Sequence, residues 1–239
     1  MLDPYPDLDQ LKQVYNSEYN LYQEASKSFL TKLVELFSQS RTDLVKKYIQ
    51  PPKKILDIGC GLGAFLKEML DLGYEVKGTE WNNTASQVAS EKIGNGNVIT
   101  SELSQISEKY HIITLWHVLE HNPTPIDLIN EIKKLLQPHS LLFIEVPNSS
   151  SITIKSSQSN YAWYSIPEHV TYWNYQSLKY FADNNNFEIL ESSTPFSMPF
   201  LYSKSQSNSF SLIISPFVQF YASLTGRGDI IRQVWRLKQ

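Results

Sequence analysis

The run Ile55-Leu56-Asp57-Ile58-Gly59-Cys60-Gly61-Leu62-Gly63 constrains the fold of this chain more than any other feature. Its first residues read as a short buried strand that ends in a glycine-rich turn. Phe65, Leu66, Met69 and Leu70 then recur at helical spacing. Glycines let the backbone come close to a ligand, and the free N–H groups of the helix start face it. A tight structural turn is a competing reading. So is a dinucleotide turn, although Gly-x-Gly-x-x-Gly would need its third glycine at Ala64. Glu80 lies about 20 residues past the turn, at the end of a second predicted strand. A carboxylate there can accept hydrogen bonds from ribose hydroxyls, so turn and acid together point to a nucleoside-type ligand.

Around this unit, strand and helix patterns alternate. Strands are predicted at Lys54–Ile58, Glu75–Thr79, Asn97–Thr100, His111–Trp116, Leu141–Val146, Phe187–Ser192 and Ile230–Leu237. Helices are predicted at Ala64–Leu72, Thr84–Lys92 and Pro125–Leu136, the last with Thr124 as N-cap. Another follows Asn174, with Leu178 and Phe181 on its apolar face. Residues 1–50 form an N-terminal helical segment, helical in pattern over 10–50, with two stripes, Leu30/Leu33/Val34/Phe37 and Leu44/Val45/Tyr48/Ile49. Pro51-Pro52 closes it, because proline disfavours helical backbone in the residue before it. Short alternating connections of this kind build an α/β fold around a parallel sheet, with the ligand at the carboxyl ends of the strands.

Composition narrows the function classes. The net charge of −3 gives no support for bulk binding to nucleic acid. Cys60 is the single cysteine, which rules out an internal disulfide framework and suits a reducing cytoplasm. The N-terminus lacks the basic and apolar regions of a secretory signal. The longest apolar run, Phe210–Leu224, is broken by Ser215, Pro216, Gln219 and Ser223 and does not read as a membrane span. With Arg227, Arg232, Arg236 and Lys238 it invites peripheral contact with a membrane or a lipid-linked substrate. Packing on the domain or in a homodimer interface is the preferred reading. A monomer and a homodimer both fit.

Three motifs resemble the class I S-adenosylmethionine-dependent methyltransferases, in particular their bacterial small-molecule branch. They are Leu56–Gly63, the post-strand segment Ile112–His121 that ends in His117-Val118-Leu119-Glu120-His121, and Pro167-Glu168-His169-Val170. The resemblance covers roughly residues 45–195. It implies a Rossmann-like, seven-stranded, mostly parallel sheet with helices on both faces and the last strand antiparallel. Residues 51–239 would form the methyltransferase domain, with an insertion at about 195–228.

The resemblance also implies a cofactor, S-adenosylmethionine, and its contacts. Gly59, Gly61 and Gly63 would face its methionine and ribose parts, and Asp57 would hold the loop or the amino group. Glu80 would take the ribose hydroxyls, and Glu102 and Leu103 would lie at the adenine. Trp116 would flank the sulfonium portion. Trp81, where smaller residues are common, would stack on adenine. The expected activity is methyl transfer to a small-molecule acceptor, at oxygen.

For chemistry, the sequence offers His169 and His117. An imidazole, with an ordinary pKa of about 6.5, can take a proton from an acceptor hydroxyl. A backbone-fixing role for His169 fits equally well. The aromatics around it, Tyr161, Trp163, Tyr164, Tyr172 and Trp173, read as a lid or as plain core. His117 is expected to point into the cleft, with Glu120 and His121 organising the loop. The same five residues match His-x-x-Glu-His, a zinc hydrolase pattern, but Pro123 argues against the continuous helix that chemistry needs, and no metal is expected. A cofactor-binding protein without catalysis is the other class that fits these motifs. Cys60 reads as a packing residue.

Overall fold

Helix α1 (Phe29–Tyr48) stops just short of the two prolines, and strand β1 (Lys54–Ile58) follows. Then come α2 (Ala64–Asp71), β2 (Glu75–Thr79), α3 (Asn83–Ile93) and the short β3 (Val98–Ile99). The chain continues through β4 (Tyr110–Trp116), α4 (Pro125–Leu135) and β5 (Leu136–Pro147). It ends with α5 (Tyr175–Asn184), β6 (Phe187–Ser193) and β7 (Ile230–Leu237). The computed structural model describes residues 29–152, 168–194, 221–222 and 224–238. The expected helix before residue 29, the aromatics Tyr161, Trp163 and Tyr164, Pro167 and most of the expected 195–228 insertion lie outside the described residues.

The seven strands form one sheet in the order β3-β2-β1-β4-β5-β7-β6. β1 pairs in parallel with both β2 and β4, and β6 pairs antiparallel with β7. This is the Rossmann-like arrangement with an antiparallel last strand. α2 packs against both α1 and α3. The strand order reverses between β1 and β4, where doubly wound sheets open a ligand crevice.

By packing, the described residues fall into two compact units. One holds residues 29–116 and 126–143, and thus α1, β1 to β4, and the start of β5. Its core is aliphatic, with Ile55, Leu56, Ile112, Ile113 and Leu115 fully buried on the two central strands. Thr42 of α1 donates to Glu68 of α2 at 2.7 Å, tying the first helix to this unit. The second holds residues 117–125 and the described residues from 144 onward. There Trp235 of β7 lies 5.5 Å from Phe187 and 6.3 Å from Phe181, whose ring also meets Trp173 at 5.1 Å.

Three of the places where element limits differ from the sequence pattern have a clear local reason. α3 starts at Asn83 because Asn82 caps it, its side chain accepting from the Ala85 amide at 3.0 Å. β5 begins at Leu136 rather than Leu141. After the buried Leu136 come the half-buried Gln137 and the exposed Pro138 and His139, held where Gln137 N donates to Ser140 Oγ at 3.0 Å, so apolar patterning is silent there. β3 shrinks to Val98–Ile99, both only half buried at the sheet edge. Among the described residues no helix is long and apolar enough to cross a membrane.

Candidate functional site

At the carboxyl end of β1 the chain makes its glycine turn. Gly59, Gly61 and Gly63 have φ of 69°, 54° and 73°, a region that side chains with a Cβ rarely adopt. The turn is tied to β2 by backbone: Cys60 N donates to Thr79 O at 2.9 Å. It also sits very close to β2. A Cβ on Gly78 would come within 2.5 Å of the Cys60 sulfur and 2.8 Å of Leu66 Cδ1. Burial pushes the Cys60 thiol well above its ordinary range, which removes it as a nucleophile and leaves a packing role.

Glu80, one residue past β2, is nearly buried. Its Oε2 accepts from the Gly61 amide at 3.0 Å and its Oε1 from the Asn82 amide at 2.8 Å. One carboxylate thus clamps both the turn and the start of α3. Burial raises its pKa, and backbone N–H groups of Asn82, Gly61 and Trp81 oppose that rise. Trp81 follows with its side chain half in solvent.

Asp57 lies beside Thr114 in the β1–β4 register, and Thr114 Oγ1 donates to Asp57 Oδ1 at 2.6 Å. Burial raises the Asp57 pKa to about 7; the Thr114 hydrogen bond and the Arg41 charge pull the other way. Trp116, at the end of β4, sits edge-on to Phe65 with ring centroids 5.4 Å apart. The Arg41 guanidinium lies 5.2 Å from its ring centroid. Glu102 is exposed and precedes the half-buried Leu103 in a one-turn 3₁₀ helix. This unit therefore gathers Asp57, the three glycines, Glu80, Trp81 and Trp116 around the ends of β1, β2 and β4, and adds Arg41 and Thr114 to them.

The second unit holds the histidines. His117 has φ 58°, and its amide donates to Glu145 O at 2.9 Å. Its Nδ1 lies 3.0 Å from Glu120 Oε1 and its Nε2 3.1 Å from Glu145 Oε1. Burial lowers its pKa, but the two carboxylate partners outweigh burial and raise it to about 9. Glu145 in turn accepts from Arg232, whose Nε is 2.6 Å from Oε2. Burial would raise the Glu120 pKa, but the hydrogen bond from His117 and the nearby imidazoles hold it below its ordinary value.

The segments 119–121 and 168–171 are laced together. Glu120 O accepts from the amides of Val170 and Thr171 at 2.9 and 3.0 Å, and Thr171 Oγ1 donates to Leu119 O at 3.1 Å. His121 Nδ1 lies 3.0 Å from Glu168 O. A carbonyl only accepts, so Nδ1 carries the hydrogen and Nε2 presents its lone pair. Burial lowers the His121 pKa to about 4. The rings of His121 and His169 meet edge to face, centroids 4.6 Å apart. Glu120, His121 and His169 each bring one ligand atom within 4.8 Å of the others, a donor set that suits a divalent cation. That set differs from the zinc hydrolase pair His117/His121. His117 is spent on two carboxylates, and residues 119–121 form a single 3₁₀ turn in place of the helix such an enzyme needs.

Comparison with known proteins gives the family. A family described as "Methyltransferase domain" matches residues 22–192. The chain belongs to the methyltransferase domain family. Among curated relatives, the ubiquinone biosynthesis O-methyltransferase of Glaesserella parasuis is 38% identical over 111 residues, 41% of this chain and 47% of the relative. The enzyme of the same name from Haemophilus ducreyi is 31% identical over 108 residues, 40% of this chain and 46% of the relative. The chain thus spans about half the length of the curated relatives it matches. Among solved structures, a SAM-dependent methyltransferase from Archaeoglobus fulgidus superposes with TM-score 0.65 at 20% identity, covering 91% of this chain and 98% of the other. A possible histamine N-methyltransferase from Thermotoga maritima gives TM-score 0.62 at 15% identity, covering 95% and 98%.

Proposed function

We propose that this methyltransferase-family chain transfers a methyl group from S-adenosylmethionine to a hydroxyl oxygen of a small-molecule acceptor. One observation carries the reading: a buried carboxylate, Glu80, clamps a positive-φ glycine turn at the switch point of the sheet. The residues fit the cofactor. The turn offers close backbone approach, Glu80 offers acceptors for ribose hydroxyls, and Trp81 offers a partly exposed ring for adenine. Arg41 is a cation beside Trp116 and Asp57 that the methionine carboxylate would pair with.

Bound S-adenosylmethionine would supply an electrophilic methyl on its sulfonium, which the acceptor oxygen takes as the C–S bond breaks and the electron pair stays on sulfur. Asp57, fixed by Thr114, would hold the loop or the cofactor amino group. His169 takes the acceptor's hydroxyl proton. Alignment of the two reactants supplies much of the rate, so an acidic acceptor needs little help from the base. His117, already held between two carboxylates, serves the architecture of its loop; the sequence expectation that it acts in catalysis is set aside here on that ground. The names of the curated relatives favour oxygen as the methylated atom. A cytoplasmic location suits the cofactor and the lone cysteine.

The test is transfer of isotopically labelled methyl from S-adenosylmethionine to a panel of phenols and catechols, with S-adenosylhomocysteine measured in parallel. Labelled ether product with matching S-adenosylhomocysteine supports the reading. Tight cofactor binding with no transfer to any acceptor would favour the non-catalytic class of protein instead.

A further inference from the structure

We propose that Glu120, His121 and His169 form a binding site for one transition-metal dication of the zinc type, and that an ion held there shuts off methyl transfer. The second half rests on the reading of His169 as the base. One carboxylate oxygen and two ring nitrogens from these residues lie within 4.8 Å of one another. All three residues belong to one packing unit. Zinc takes nitrogen and oxygen ligands at about 2.0–2.2 Å, so donors at that spacing close on an ion by side-chain rotation. Two imidazoles with one carboxylate suit zinc, cobalt or iron, whereas magnesium selects oxygen ligands.

The carboxylate supplies a second observation. Glu120 is 1% exposed, and its Oε2 has no hydrogen-bond partner among the described residues. A buried charged oxygen left unmatched is costly, and a cation is a partner that matches it. The surroundings also hold the donors as a metal site holds its ligands. His117 Nδ1 lies 3.0 Å from Glu120 Oε1, which fixes the carboxylate and leaves Oε2 for the ion. His121 gives its Nδ1 hydrogen to Glu168 O at 3.0 Å, so its lone pair is on Nε2. Such a bond to a backbone carbonyl is what orients a metal-bound histidine. The amides of Val170 and Thr171, both on Glu120 O, keep the His169 segment against the turn that carries the other two ligands. A neutral imidazole has one lone pair. His169 gives it to the ion or to the acceptor's proton, never to both, so metal binding and methyl transfer exclude each other.

The experiment uses the untagged full chain, stripped with a chelator and titrated with cobalt(II) chloride, whose visible spectrum reports nitrogen and oxygen ligation. The absorption should saturate at one ion per chain, and zinc chloride should bleach it. Glu120→Gln and His121→Gln should each lose the saturable signal while keeping parent-like circular dichroism and S-adenosylhomocysteine affinity. If Glu120→Gln fails to fold, His121→Gln carries the test. One equivalent of zinc should slow labelled methyl transfer by at least about a hundredfold, the lower end of what a general base contributes. Chelator should restore the rate, and magnesium chloride should leave it unchanged.

No saturable cobalt signal in the folded parent would overturn the site. So would an undiminished signal in the folded variants, which would put the ion on other side chains. Saturable binding with transfer untouched by zinc would overturn the shut-off, and His169 would then not be the base. A chain that methylates no acceptor at all would end the proposed function, while the cobalt titration still decides the site.

Discussion

The Gly61 amide donates to Glu80 Oε2 at 3.0 Å, joining the glycine turn to the acid at the end of β2. The residue expected to hold the cofactor ribose therefore also braces the loop that would face it. Glu80→Ala should weaken S-adenosylhomocysteine binding by about 1–3 kcal/mol, the usual cost of losing a charged acceptor. It should also speed hydrogen exchange at the Gly61 amide, with the fold intact. Calorimetry and exchange on the same sample check both. Parent-like affinity would place ribose recognition elsewhere.

Arg41 should matter to the cofactor although no sequence motif marks it. Its guanidinium stands 5.2 Å from the Trp116 ring centroid and opposes the burial-driven rise in the Asp57 pKa. Arg41→Met keeps much of the packing and removes the charge. It should lower affinity for S-adenosylmethionine by about tenfold, roughly the 1.5 kcal/mol of one charge-assisted hydrogen bond. Equal affinities would assign Arg41 to packing on Trp116 alone.

His169→Ala should slow methyl transfer by about 10²–10⁴-fold at saturating cofactor, the usual contribution of a general base. S-adenosylhomocysteine affinity should hold. The motivation is its place against Glu120 and His121, where a proton can be held. Undiminished turnover between about pH 6 and pH 9, spanning the ordinary imidazole pKa, would show that alignment carries the reaction without it.

Stability should fall on the alkaline side. The folded-state pKa of His117 is raised to about 9 by Glu120 and Glu145 against burial, while an unfolded histidine titrates near about 6.5. Its contribution is therefore fully present below the lower value, declines between the two and is lost as pH rises through the upper one. Thermal unfolding of the parent should lose stability over that window. His117→Gln should be less stable at neutral pH and flatter across the window. An unchanged slope would show that His117 is not held charged.

Sheet and turn were legible because each rests on local chemistry. Apolar runs marked β1, β2, β4 and β7 at or near their observed limits, and the glycines stood where positive φ is needed. Glu145 and Arg232 carried a signal of a different kind: a charge inside an apolar strand run is buried only when paired. The sequence does not reveal which distant charge pairs with which, and these two are 87 residues apart. Arg41 sits on an amphipathic helix among other polar residues, so nothing in the pattern separates it from a solvated face. The sequence pattern starts α3 at Thr84 without naming a cap, and the Ala85 hydrogen bond shows that Asn82 caps it and that the helix opens at Asn83. Glu120, His121 and His169 meet because the turn at 119–121 and the segment at 168–171 exchange backbone hydrogen bonds, a pairing that neither motif contains alone.

Calorimetric titration of the purified chain with S-adenosylhomocysteine tests the central claim most directly, run beside Gly61→Val. Gly61 has φ 54°, and its amide is on Glu80, so a branched side chain there both strains the turn and blocks approach of a ligand. The account predicts one saturable site per chain in the parent protein and none in a Gly61→Val protein with parent-like circular dichroism. A folded parent that gives no heat with S-adenosylhomocysteine, or a folded Gly61→Val protein that binds it as well as the parent, would contradict the account.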